Sequence, residues 1–139
     1  MRRAALAAPL AASALAVTTG VPPAAAATAE NTHSFSFVSD ETQETVSCTI
    51  RSAFDSQPRA AGGWSLTASV RISAPSSAEC LSGFVHLELR HPTGPIDLVD
   101  GGLPSLQVAM TTREEVVRID YELYFNACAC YTPKYITPK

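Results

Sequence analysis

The stretch from Glu115 to Phe125 alternates apolar and polar side chains with a period of two. Its apolar positions are branched or aromatic, which is typical of β-strands. A period of two places alternate side chains on opposite faces of a strand, whereas a helix would repeat its apolar positions every three or four residues. We therefore predict a β-strand with one buried face. The side chains expected to face the interior are those of Val117, Ile119, Tyr121, Leu123 and Phe125.

Further stretches along the chain show the same alternation, and polar or Gly- and Pro-containing turns separate them. Strands with a single apolar face favour antiparallel sheets, because the strands of a parallel sheet are apolar on both faces. We predict an all-β fold, a two-sheet antiparallel, immunoglobulin-like sandwich of about seven strands, with a partly open barrel as the alternative. The additional predicted strands span residues 34–38, 45–54, 64–73, 84–90, 96–99 and 106–110.

The N-terminal residues 1–29 have the composition of a secretory signal peptide. They begin with a positive charge, continue as an apolar run ending at Val17, and finish in small residues. Cleavage before Thr28 and cleavage before Glu30 fit this pattern equally well. The apolar run is too short for a transmembrane helix and no second run follows, so we predict a secreted protein with no membrane span.

The charge of the exported part argues against a nucleic-acid partner. The chain has 10 Lys and Arg and 13 Asp and Glu residues; the leader holds Arg2 and Arg3 and no acid, so 8 basic and 13 acidic residues remain, a net charge of −5. Binding to phosphate backbones relies on an excess of basic residues. Residues 30–139 are predicted to form a single domain, and the Pro- and Lys-containing tail 131–139 is predicted to be an extended edge segment.

All four cysteines, Cys48, Cys80, Cys128 and Cys130, lie in the exported part. An even number of cysteines in an exported chain predicts two disulfides, which could pair in three ways. Cys48 alternates in phase with its apolar neighbours, so its sulfur is expected to face inward. A Cys48–Cys80 bridge would close a loop of about 32 residues and stabilise the fold by roughly 3.5 kcal/mol.

The other pair would then be Cys128–Cys130. Two residues along a strand span about 6.6 Å, near the upper limit for a disulfide, so this bond requires a bend in the chain. It would contribute only about 1.5 kcal/mol. We favour this pairing, while crossed pairings would instead tie the last strand to the sheet. A redox or metal role for the Cys-x-Cys pair is the less favoured alternative, because reactive thiols usually form Cys-x-x-Cys at a helix start.

Signs of catalysis or metal binding are weak. His86 and Glu88 share the polar face of one predicted strand, which permits a metal site, but a solvated face is the favoured interpretation. No Gly-x-Ser-x-Gly motif marks a nucleophile. We therefore expect no enzymatic activity, no cofactor and no bound metal.

Possible partner contacts come from loops and exposed rings. Arg59 lies in the predicted loop 55–63, and the predicted loop region 91–104 is a second variable segment. Phe84 and Tyr124 occupy the polar faces of their strands, so they would form an exposed aromatic patch if those strands are neighbours.

The sequence thus predicts a secreted, non-enzymatic binding or structural module whose partner is an unknown protein or a surface carbohydrate. The alternative is a secreted inhibitor of a serine protease or another hydrolase, with Arg59 as the contact residue.

Overall fold

The computed structural model describes residues 28–73 and 77–139. The predicted leader, 1–29, therefore lies outside the described residues apart from its last two positions. The described residues form nine β-strands and a short 3-10 helix at Ala78–Cys80. The strands are β1 (Ala29–Val38), β2 (Thr45–Pro58), β3 (Trp64–Ile72), β4 (Gly83–Arg90), β5 (Asp97–Gly102), β6 (Ser105–Thr112), β7 (Arg118–Phe125), β8 (Cys130–Tyr131) and β9 (Tyr135–Pro138).

The strands form two antiparallel sheets that pack face to face, as predicted. Sheet 1 has the order β1-β2-β3-β6, and sheet 2 has the order β5-β4-β7, with β8 and β9 both pairing with β7. The connections from β3 to β4, from β5 to β6 and from β6 to β7 cross between the sheets. The described residues contain more strands than predicted, because the tail 131–139 supplies β9 and the end of β8.

The strand predicted from Glu115 begins later, at Arg118. From there the alternation holds, and Ile119, Tyr121, Leu123 and Phe125 are fully buried. The predicted core residue Val117 is only partly buried, and Val116 fills the core instead. The phase changes because residues 115–117 are not yet in the sheet, so their side chains do not follow its pleat.

The predicted loop 55–63 is strand over its first half. β2 continues to Pro58 because Phe54 and Ser56 keep pointing inward, and Ser56 pairs with Leu66 of β3. The loop is thus reduced to a tight connection between Pro58 and Trp64.

The region 91–104 is likewise not all loop, because β5 extends through Gly101 and Gly102. These glycines pair with Val85 and Phe84 of β4. A Cβ at Gly101 would collide with Cδ1 of Leu106, so the Leu106 side chain would have to move to admit any other residue there.

The C-terminal strand β9 connects the edge of sheet 2 to sheet 1. The ring of Tyr135 stacks on His33 of β1 with 4.1 Å between centroids. The hydroxyl of Thr137 hydrogen bonds that of Ser52 in β2 at 2.6 Å, and both side chains are buried. A buried hydroxyl without a partner costs about 1–3 kcal/mol, so this pair fixes how the tail meets the opposite sheet. Burial also lowers the pKa of His33, which favours an uncharged ring.

The favoured disulfide pairing, Cys48–Cys80 with Cys128–Cys130, is the one in the structure. Cys48 lies in sheet 1 and Cys80 in the 3-10 helix that precedes β4, so their bond links the two sheets. The Cα atoms of Cys128 and Cys130 are 5.1 Å apart. The required bend occurs at Ala129, which has a φ of 50°.

The two bridges should differ in their contribution to stability. We expect Cys48→Ala/Cys80→Ala to lower the free energy of unfolding by about 3.5 kcal/mol, because this bridge closes the longer loop. The matched variant Cys128→Ala/Cys130→Ala should lose about 1.5 kcal/mol or less. Equilibrium urea unfolding measures both values. An equal loss in the two variants, or a larger loss in the second, would contradict the expectation.

Candidate binding surface

Three rings on the outer face of sheet 2 form an aromatic cluster: Phe84, Tyr124 and Tyr131. The antiparallel register sets Phe84 opposite Tyr124, and Tyr124 opposite Tyr131. The first two rings stack with centroids 5.0 Å apart, and the Tyr131 ring is tilted by 65° against Tyr124 at 4.9 Å. Phe84 is 40% exposed and Tyr131 is 53% exposed, so the cluster is open to solvent.

The sequence indicated the pair Phe84–Tyr124 on the condition that β4 and β7 are neighbours, and the structure meets that condition. Tyr131 was not placed in the patch. Its strand, β8, has only two residues, which is too short to show an alternating pattern. The prolines of the tail indicate only that this segment is extended and lies at a sheet edge.

On the side of β4 opposite to β7, the residue of β5 paired with Phe84 is Gly102. Since glycine has no side chain, the Phe84 ring has no cross-strand side chain next to it on that side. A shallow depression lies between the aromatic cluster and the next residues of β5, β4 and β7 on this face. Its lining residues are Phe84, His86, Asp100, Glu122 and Tyr131.

The polar wall of the depression is an imidazole between carboxylates. His86 donates a hydrogen bond from Nδ1 to Asp100 Oδ1 at 2.6 Å, and its Nε2 lies 3.7 Å from Glu88 Oε2. Glu122 is directly opposite His86 in the register. The side chain of Asp100 is 71% exposed, so its carboxylate remains accessible to a ligand. The depression thus combines an open ring with hydrogen-bond acceptors and an imidazole.

Further from the cluster, the charges on this face are paired with one another. Glu88 accepts hydrogen bonds from Lys134 at 2.8 Å and from Arg90 at 2.9 Å. The bond from Lys134 lowers the pKa of Glu88, partial burial opposes this effect, and Arg90 adds to it. The same bond raises the pKa of Lys134.

Asp120 is the most buried acid of this face, with 3% of its side chain exposed. The guanidinium of Arg118 holds it through two hydrogen bonds of 2.7 and 3.0 Å, and Arg90 lies 3.2 Å away. A bidentate pair of this kind compensates the cost of burying the carboxylate. These charged groups are therefore occupied by one another, whereas the aromatic end of the face has exposed rings and the exposed Asp100 carboxylate.

Arg59, the predicted inhibitor contact, occupies the tight turn after β2. Its amide donates to Gly63 O at 3.0 Å, and Gly62 donates back to Arg59 O at 3.0 Å. Its guanidinium donates from Nη1 to Gly62 O at 2.9 Å. The side chain is exposed but folded onto its own turn, so entering a protease pocket would require this contact to break. The inhibitor hypothesis stays a prediction.

His91 directly follows β4 and makes its hydrogen bonds outside the depression. Its Nδ1 lies 2.9 Å from Glu115 O and its Nε2 lies 2.8 Å from Asp97 Oδ2, with 7% of the side chain exposed. Both partner atoms are oxygens, one of a backbone carbonyl and one of a carboxylate. The ring ties the start of loop 91–96 to the segment that leads into β7, which is a structural role.

Within residues 28–73 and 77–139, no group of three or more His, Cys, Asp or Glu side chains is arranged to hold a metal ion. The same residues contain no helix that is long and apolar enough to span a membrane. Comparison with protein-family models, curated proteins and solved structures gives no match to this chain.

The pairing of Glu88 predicts how the stability of the protein depends on pH. Because its pKa is lower in the folded state, Glu88 contributes stability above the ordinary pKa of 4.5, and this contribution is lost as the pH falls through the lowered pKa. We therefore expect the free energy of unfolding of Glu88→Gln to fall less steeply than that of the wild type below pH 4.5.

Urea unfolding at a series of pH values tests this expectation. Glu41→Gln, which removes the same charge from the exposed turn between β1 and β2, is the matched control. If the free energy of unfolding of Glu88→Gln falls as steeply below pH 4.5 as that of the wild type, the hydrogen bond between Lys134 and Glu88 does not form in solution.

Proposed function

We propose that the protein is a non-enzymatic binding module that acts outside the cell and recognises a carbohydrate polymer on a surface. One observation carries the proposal: the depression in which the exposed Phe84 ring adjoins His86, Asp100 and Glu122. The two disulfides support the extracellular setting, because such bonds persist in oxidising compartments.

A sugar ring has the two kinds of surface that this depression can bind. One face of a pyranose is rich in C–H groups and packs on an aromatic ring, while the hydroxyls at its edge need hydrogen-bond partners. Phe84 offers the apolar contact, since its exposed ring lines the depression. Asp100 and Glu122 offer acceptors, and His86 can hydrogen bond through Nε2. Each contact follows from the chemistry of a side chain that lines the depression.

The side chains of the depression are held in place by the sheet before a ligand binds. The alternate residues of β4, Val85 and Leu87, are fully buried, so the backbone that carries Phe84 and His86 is anchored in the core. The stack between Phe84 and Tyr124 restricts the first ring before any ligand arrives. Binding groups that are held in place lose little conformational entropy on association.

Binding to a panel of purified polysaccharides tests the proposal. The panel includes cellulose, xylan, chitin and peptidoglycan, and the measurements are pull-down on insoluble polymers and calorimetry on soluble fragments. We expect saturable binding to at least one polymer. Phe84→Ser should raise the Kd for that polymer about tenfold or more, because a central aromatic contact is lost. Phe84→Ser/Tyr124→Ser should bind more weakly still.

Leu98→Ser provides the matched control, since Leu98 is 62% exposed on the same face but lies opposite Glu88. It removes an exposed apolar side chain outside the depression and should leave the Kd unchanged. Absence of binding to every polymer, with retention by a protein ligand instead, would contradict the proposal. Equal effects of Leu98→Ser and Phe84→Ser would contradict the assignment to the aromatic cluster.

A further inference from the structure

The two disulfides occupy different environments. Cys48 and Cys80 are 1% and 0% exposed, and their bond lies between the sheets. Cys128 and Cys130 are half-buried on the turn from β7 to β8, next to the exposed Ala129. A dissolved thiol can therefore approach the second bridge from solvent, whereas it could reach the first only after the protein opens.

The backbone between Cys128 and Cys130 is held in an unfavourable conformation. Ala129 has a φ of 50°, in the left-handed region that costs a residue with a Cβ roughly 1 kcal/mol. The gain from closing so short a loop is about 1.5 kcal/mol. The cost and the gain are of similar size. The bridge therefore adds little net stability to the folded protein, and little is lost when it is reduced.

The turn is also anchored on both sides without the bridge. Before it, the amide of Asn126 donates to Ser82 O at 3.1 Å, and the amide of Asp40 donates to Ala127 O at 2.7 Å. After it, the amide of Thr132 donates to Leu123 O at 2.9 Å. Opening of the disulfide would therefore loosen the turn and leave the neighbouring strands paired.

From these observations we propose that Cys128–Cys130 is a thiol–disulfide exchange site whose substrates are dithiols, and that Cys48–Cys80 is the permanent structural bridge. The two cysteines are joined as a disulfide, so in an exchange with a dithiol the bridge is the acceptor of electrons. The site is independent of the carbohydrate proposal, because it uses no residue of the depression.

The exchange proceeds in two steps. A thiolate of the dithiol attacks one sulfur of the bridge, forms a mixed disulfide, and releases the other cysteine as a thiolate that takes up a proton. The second thiol of the donor loses its proton and attacks the mixed disulfide, releasing the remaining cysteine, which is protonated in turn. Cys128 and Cys130 end as two thiols, the donor ends as a disulfide, and two electrons have passed to the protein.

Graded reduction of the native protein tests the assignment. The oxidised protein is incubated with increasing dithiothreitol at pH 7.5 without denaturant, quenched with N-ethylmaleimide and digested, and the alkylated cysteines are identified by mass spectrometry. We expect Cys128 and Cys130 to become alkylated together at least tenfold faster than Cys48 and Cys80, while the far-ultraviolet circular dichroism signal is retained. Equal rates for both bridges, or alkylation that appears only as the signal is lost, would overturn the proposal.

A second measurement tests transfer to a dithiol substrate. A reduced peptide with two cysteines is mixed with the oxidised protein, and the peptide disulfide is quantified by chromatography. We expect about one peptide disulfide per protein, and none above background with Cys128→Ser/Cys130→Ser. Equal yields from this variant and from the wild type would overturn the proposal. Peptide mapping of the wild type after the reaction shows directly which cysteines have been reduced, so the test does not depend on the folding of the variant.

Discussion

The register between β4 and β7 is the constraint on which the rest of the structure depends. Leu87 lies opposite Tyr121, so the inward side chains of both strands meet in the core, and the outward side chains meet on the surface. A shift of one residue would exchange the two faces and expose the core of sheet 2. The same register sets Phe84 opposite Tyr124. The aromatic cluster is therefore a consequence of the pairing that forms the core.

The C-terminal tail covers the edge that the pairing of β4 with β7 leaves open. β7 would be an edge strand without β8 and β9, and a long edge strand with unpaired amides invites association with other chains. β9 covers that edge, and its buried Thr137 reaches across to Ser52 in the other sheet. A single short segment thus protects an edge, satisfies a buried hydroxyl and brings Tyr135 onto His33. Its proline at position 138 suits the last position of an outer strand.

Sequence patterns predicted the strands well wherever one face is buried. The two-residue period located β4 and β7, and it indicated the inward sulfur of Cys48, because burial selects apolar residues at each alternate position. It failed at Val117, where the chain has not yet entered the sheet. It also failed for Tyr131, because a strand of two residues has no period to detect. The depression beside Phe84 arises from side chains on different strands, and pairing between strands is not encoded in local alternation.

The outer face of sheet 2 has paired charges at one end and the residues of the proposed binding site at the other. At one end, Asp120 and Glu88 are neutralised by basic side chains, which allows those carboxylates to be partly or fully removed from water. At the other end, Asp100 interacts with His86 but keeps most of its surface exposed. An exposed pair contributes little to stability, so its groups can exchange partners at small cost. The groups of the proposed binding site therefore lie where the sheet depends least on its polar side chains, beside the rings of the aromatic cluster.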